Sequence, residues 1–139
     1  MKLKLGLCAM LLSGLAYAYD VVIPANQLPA NAQSFINTYF KGVTIGLVKK
    51  DLDSYDVTLA DGTEIDFIIT GEWKDVDGKY KAIPTDFLPA NVVQKASSTQ
   101  AGAQIIQVEK EVHGYKFKFN NGMKVYTDAN GNILGQKFD

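Results

Sequence analysis

The chain has 139 residues, 47% hydrophobic and 21% charged, which is the composition of one globular domain and excludes a disordered or polytopic membrane protein. All 14 basic residues are lysine, and the formal net charge is −1. Without arginine's planar fork for phosphates and base edges, and without a positive balance, nucleic-acid binding is a poor expectation.

Residues 1–18 read as a cleaved signal peptide: Lys2 and Lys4 precede an apolar run from Leu5 to Leu15, followed by Ala16-Tyr17-Ala18 as a small-x-small cleavage site. The run is shorter than the roughly 20 residues of a spanning helix. Cleavage leaves Tyr19 as the first mature residue and removes Cys8, the single cysteine, so disulfides, thiolate metal sites and cysteine catalysis are excluded from the mature chain. The mature chain is expected to be exported, with no stable membrane insertion after cleavage.

Sliding the chain against itself by 60 residues aligns Ile23-Pro24 with Ile83-Pro84 and Leu28-Pro29-Ala30-Asn31 with Leu88-Pro89-Ala90-Asn91. It also aligns Gly42 with Gly102, Tyr55 with Tyr115, Gly62 with Gly122 and Gly71 with Gly131, without a gap. The division is therefore a signal over 1–18, a first repeat over 19–79 and a second over 80–139. Each repeat opens with a helical pattern. Leu28, Ala32, Phe35, Ile36, Tyr39 and Phe40 form one apolar stripe, with Pro29 at the first helical position and Gly42 past the end. Leu88, Val92, Val93 and Ala96 repeat the plan.

The period then falls to two. Tyr55, Val57 and Leu59 alternate with polar residues up to an Asp61-Gly62 turn, after which Ile65, Phe67 and Ile69 continue the apolar face. Tyr115, Phe117 and Phe119, the Asn121-Gly122 turn, and Met123 and Val125 do the same in the second copy. With flanking strands near 44–51, 72–76, 104–112 and 132–138, each repeat is expected to be α+β, a helix packed on a four-stranded antiparallel meander sheet.

The Leu-Pro helix start, the Tyr-x-Val/Phe-x-Leu/Phe strand, the Asp/Asn-Gly turn and the Gly-x-Trp or Gly-x-Ile closing strand resemble the PepSY-like, β-lactamase-inhibitor-like family of exported bacterial proteins. That resemblance implies a tandem α+β module of the periplasm that binds other proteins, in some relatives as an inhibitor. It implies no catalytic residues and no cofactor.

The residues themselves offer little chemistry. His113 is the single histidine and stands before Gly114, where its counterpart is Asp53, so a turn is its expected place; a zinc site needs three or four ligands. No mature serine lies in a Gly-x-Ser-x-Gly setting. Asp75-Val76-Asp77-Gly78 and Asp128-Ala129-Asn130-Gly131-Asn132 resemble the opening of a calcium loop, but position twelve falls on Asp86 or Asp139 rather than glutamate, and hairpin turns are the plainer reading.

Charge carries more. The first repeat holds ten acidic residues against five lysines, net −5, and the second five against seven, net +2. Alternation turns Asp56, Glu64 and Asp66 outward in the first copy and Lys116, Lys118 and Lys124 in the second, an arrangement suited to steering a protein partner. Trp73, the single tryptophan, aligns with Ile133, which favours core packing; turned outward by alternation over 72–76 it is the best anchor candidate, with Tyr80 in the connection between repeats. The function expected is non-enzymatic binding of an unidentified periplasmic protein or peptide through Trp73, Tyr80, Lys116, Lys118 and Lys124. A structural or envelope-stress component and a small-ligand or calcium carrier are the alternatives.

Overall fold

The computed structural model describes residues 20–139. The signal segment, its Ala16-Tyr17-Ala18 site and Tyr19 lie outside the described residues. The elements are β1 (Val21–Val22), a 3-10 turn (Ala25–Gln27), α1 (Ala30–Tyr39), β2 (Ile45–Lys50), β3 (Ser54–Leu59), β4 (Glu64–Ile68) and β5 (Trp73–Asp77). They are followed by α2 (Ala90–Ser98), β6 (Ile105–Lys110), β7 (Gly114–Phe119), β8 (Met123–Asp128) and β9 (Ile133–Phe138). The α+β class stands, and the two meander sheets, which the sequence leaves open as separate or joined edge to edge, are not separate. Among the described residues the strands form one nine-stranded antiparallel sheet in the order β1 to β9.

The two halves join where β5 pairs with β6, through Asp75↔Glu109, Val76↔Val108 and Asp77↔Gln107. The physical reason is the edge of β5. A strand left unpaired exposes a row of backbone donors and acceptors, and β6 satisfies them: beyond the ladder, Gly78 N–H donates to the Ile106 carbonyl at 2.8 Å and Ile83 N–H to the Ile105 carbonyl at 3.0 Å.

Both helices lie on one face of the sheet, and the apolar alternation faces them. Ala32 and Ile36 of α1 and Val92 and Ala96 of α2 bury against Val57, Leu59, Ile65, Phe67, Val76, Val108, Phe117, Phe119 and Val125 in one continuous core. Removing this much apolar surface from water is what holds a chain of this size without disulfides. Pro29 and Pro89 are the residues before the helices, extended at ψ 146° and 130°, so the helices start at Ala30 and Ala90 rather than at the prolines.

The Leu-Pro-Ala-Asn motif has a tertiary role. Asn31 donates to the Thr70 carbonyl at 3.0 Å and Asn91 to the Asn130 carbonyl at 3.3 Å, tying each helix start to the hairpin turn below it. Gly71 and Gly131 complete those turns at φ +91° and +88°. A β-carbon on Gly71 would meet Asn31 and Pro29, and one on Gly131 would meet the Val92 backbone, so both conformation and space require glycine.

Candidate functional site: the open face of the sheet

The face opposite the helices carries no covering element among the described residues, and the strand register arranges its side chains in rows. Asp56 stands opposite Asp66, Asp66 opposite Asp75, Asp75 opposite Glu109, Glu109 opposite Lys116, and Lys116 opposite Tyr126. The neighbouring row runs Thr58, Glu64, Asp77, Gln107, Lys118, Lys124 and Lys137. Directly opposed side chains on one sheet face lie about 5 Å apart, so the two rows together read as a band of charge, acidic over β3–β5 and basic over β7–β9 through Lys116, Lys118, Lys124 and Lys137.

Like charges so placed repel, and the protein answers by holding protons. Burial, the facing carboxylates of Asp56 and Asp75, a hydrogen bond with Asp56 and the charge of Glu64 push the Asp66 carboxyl up to about 7. Burial also raises Asp75, opposed by a hydrogen bond from the Gln107 amide, 3.1 Å from Asp75 Oδ1. At the junction the signs meet: Lys116 Nζ lies 2.8 Å from Glu109 Oε1, a contact that holds Glu109 below the usual carboxylate range. Lys118 and Lys124 both reach the Asp139 carboxylate, at 3.5 and 3.1 Å. The lysines are therefore partly neutralised within the face, and the less balanced charge is the acidic block of Asp56, Asp66 and Asp75. Lys49, Asp56, Thr58, Glu64 and Asp66 border a surface depression of about 280 Å³ on that block.

Lys116, Lys118 and Lys124 come together on this face, as alternation expects. Trp73 does not join them. It pairs with Phe67 on the helix side because the register shifts between Asp66 and Phe67, which leaves Lys74 as an extra residue and reverses the alternation along β5. Half-buried there, its ring packs against Phe87 at 5.0 Å and stacks on Tyr115 at 6.4 Å, with Lys110 Nζ 4.4 Å above it. The core-packing reading of Trp73 is the one that fits this placement. Tyr80 is 94% exposed, but it follows the far end of β5 from Trp73, so the two do not form one patch.

The remaining candidates resolve as turns and strand. His113 lies in the connection from β6 to β7. Asp128 caps the β8–β9 turn, accepting from the Asn130 and Asn132 N–H groups at 2.9 Å each. Asp75 to Asp77 belong to β5, so that segment is strand rather than a hairpin turn. Among the described residues no three His, Cys, Asp or Glu side chains stand together as a metal site.

The family profile described as putative beta-lactamase-inhibitor-like, PepSY-like matches residues 53–135. The chain belongs to this PepSY-like family. Its fold recurs in two solved proteins of Bacteroides vulgatus ATCC 8482, both described as putative periplasmic proteins. One is 34% identical with a TM-score of 0.79, over 86% of this chain and 99% of the other. The second is 30% identical with a TM-score of 0.78, over 85% and 96%. A Bacteroides thetaiotaomicron protein described as a putative calcium-regulated periplasmic protein is 26% identical with a TM-score of 0.78, over 85% and 96%. No curated protein matches the sequence. None of these descriptions names a catalytic activity. Among the described residues no helix is long and apolar enough to cross a membrane.

Proposed function

We propose that this PepSY-like protein is exported to the periplasm and acts there as a non-enzymatic binding module, which docks another protein on the open face of its sheet. The observation that carries this reading is the face itself. A sheet side left uncovered by any described helix is filled with cross-strand rows of charge, and its acidic block costs stability through the Asp56, Asp66 and Asp75 repulsion, which the ion pairs at Glu109 and Asp139 do not relieve. The same rows complement a partner whose charges run in the opposite order, basic over β3–β5 and acidic over β7–β9. The periplasmic descriptions of its structural relatives support the compartment.

The test is differential capture from periplasmic extract with the mature protein and a face variant combining Asp56→Lys with Lys116→Glu. A protein held by the wild type, released by salt and lost with the variant supports the reading. Equal capture by both refutes it.

A second reading, calcium binding on the acidic block, draws on the relative described as calcium-regulated and on the row Asp56, Asp66, Asp75 and Glu109. It ranks lower, because as they stand no three of the carboxylates converge as a metal site. Calorimetric titration with calcium, and with Asp66→Asn as control, decides between them.

A further inference from the structure

β5 and β9 occupy corresponding places, each following a glycine turn at Gly71 or Gly131 and each opposed to its preceding strand through the same register shift. Their outer edges differ. That of β5 is covered by β6, while among the described residues β9 ends the sheet. At the opposite end the edge is blunted by the two-residue strand β1, reinforced by Ile23 N–H donating to the Val48 carbonyl at 3.0 Å.

The backbone of β9 faces outward at defined positions. Asp139 N–H turns back to the Gly122 carbonyl at 3.0 Å, so Gln136 and Phe138, on the alternate parity, direct their N–H and C=O groups away from β8. In β5 the residue corresponding to Phe138 is Gly78, whose N–H donates to Ile106 in the covering strand. Leu134 and Phe138 are 66% and 70% exposed on this strand, which has no proline; its register shift does not close the edge, since β5 carries the same shift and is paired, and Lys137 restricts which strands fit rather than barring all. On the open face, the row Lys118, Lys124 and Lys137 reaches the edge with Lys137 in the place that Asp77 has in β5. Asp139 lies against Lys118 and Lys124.

We propose that the edge of β9 is a strand-docking site. It takes an extended segment of a partner protein in antiparallel register, as β6 sits on β5, with apolar residues on the helix side and an acidic residue beside Lys137 on the open-face side. β9 itself carries no acidic residue, so a second copy pairing β9 to β9 would set Lys137 against glycine, another lysine or an apolar residue according to register, whereas an acidic strand of another protein complements it, and that strand is the occupant. The site is an edge rather than the face discussed above, and does not depend on the reading given for that face.

The probe follows from the fold: a peptide with the sequence of residues 103–111, which include β6, carrying Gln107→Glu to oppose Lys137, compared with the same peptide carrying Gln107→Lys. Added to the mature protein, the acidic peptide is expected to slow amide hydrogen exchange at Gln136 and Phe138 and to bind about tenfold more tightly than the lysine peptide. Gln136→Pro removes an outward-facing N–H at a position where an edge strand tolerates proline, and is expected to abolish the protection. Lys137→Glu, which leaves the backbone intact, is expected to invert the preference between the two peptides and serves if the proline variant does not fold. No protection at Gln136 and Phe138 with millimolar acidic peptide overturns the proposal. So does equal affinity for the two peptides, or protection that grows with protein concentration in the absence of peptide, which would identify a second copy as the occupant.

Discussion

Replacing Asp66 by asparagine is expected to make the protein more stable at neutral pH and to flatten its dependence on pH. In the folded state this carboxyl is pushed up to about 7, whereas the exposed group in an unfolded chain sits at its ordinary 3.8. Between those two values the folded state holds a proton that the unfolded state has lost, so stability falls as pH rises. The contribution is complete below about pH 4 and is lost as pH passes through 7. The gap of about 3 between the two values corresponds to a ceiling of about 4 kcal/mol, and because the side chain is only half-buried, solvent screening reduces this to about 1–2 kcal/mol. Asp75, raised by burial, acts in the same direction. The carboxylates held low, Glu109 by Lys116 and Asp128 by Asn132, act in the opposite sense only as pH falls through the ordinary carboxylate range and below, under the window of interest. Urea unfolding followed by Trp73 fluorescence at pH 5, 6, 7 and 8 measures the effect. Wild-type stability should decline by about 1 kcal/mol across that range, which covers about two thirds of the window, with most of the decline absent in Asp66→Asn. Equal slopes for the two proteins would refute the account of a strained carboxylate row.

Other substitutions probe the packing. Phe119→Ala should cost about 3–5 kcal/mol and Leu59→Ala about 2–5 kcal/mol in denaturant unfolding, since both side chains are almost fully buried and leave cavities; losses under about 0.5 kcal/mol would place these strands the wrong way round. Gly131→Ala should destabilise by about 1–3 kcal/mol, from the positive φ and the contact with the Val92 backbone, and a neutral result would contradict the close helix-to-turn approach. Intact-mass analysis of the exported protein should give a chain beginning at Tyr19; retention of residues 1–18 would exclude cleavage after Ala18.

Much of the fold is legible because most of its elements follow a single period. Ala32, Ile36, Val92 and Ala96 fall on helical spacing, Val57, Leu59, Phe117 and Phe119 on strand spacing, and all are buried. Legibility fails where the period breaks. The register shift in β5 turns Trp73 to the helix side, and Ile69, placed by alternation on the apolar face, lies beyond the end of β4 and is 42% exposed. The β5–β6 junction left no local sign, since neither strand differs in pattern from one at a free edge. Alternation finds Asp56, Glu64 and Asp66 together with the three lysines. The roles of Asp75, Glu109, Lys137 and Asp139 emerge only from the cross-strand register, because which residues oppose one another depends on hairpin lengths and on the joining of the two halves.

The central claim, that the open face docks a partner by charge complementarity, is tested most directly by association kinetics with the captured protein over a range of ionic strength. The wild type should associate more slowly as salt is added, and the combined Asp56→Lys and Lys116→Glu variant should associate about tenfold more slowly at low salt with a flattened salt dependence and an almost unchanged dissociation rate. An association rate indifferent to both the substitutions and the ionic strength would contradict it.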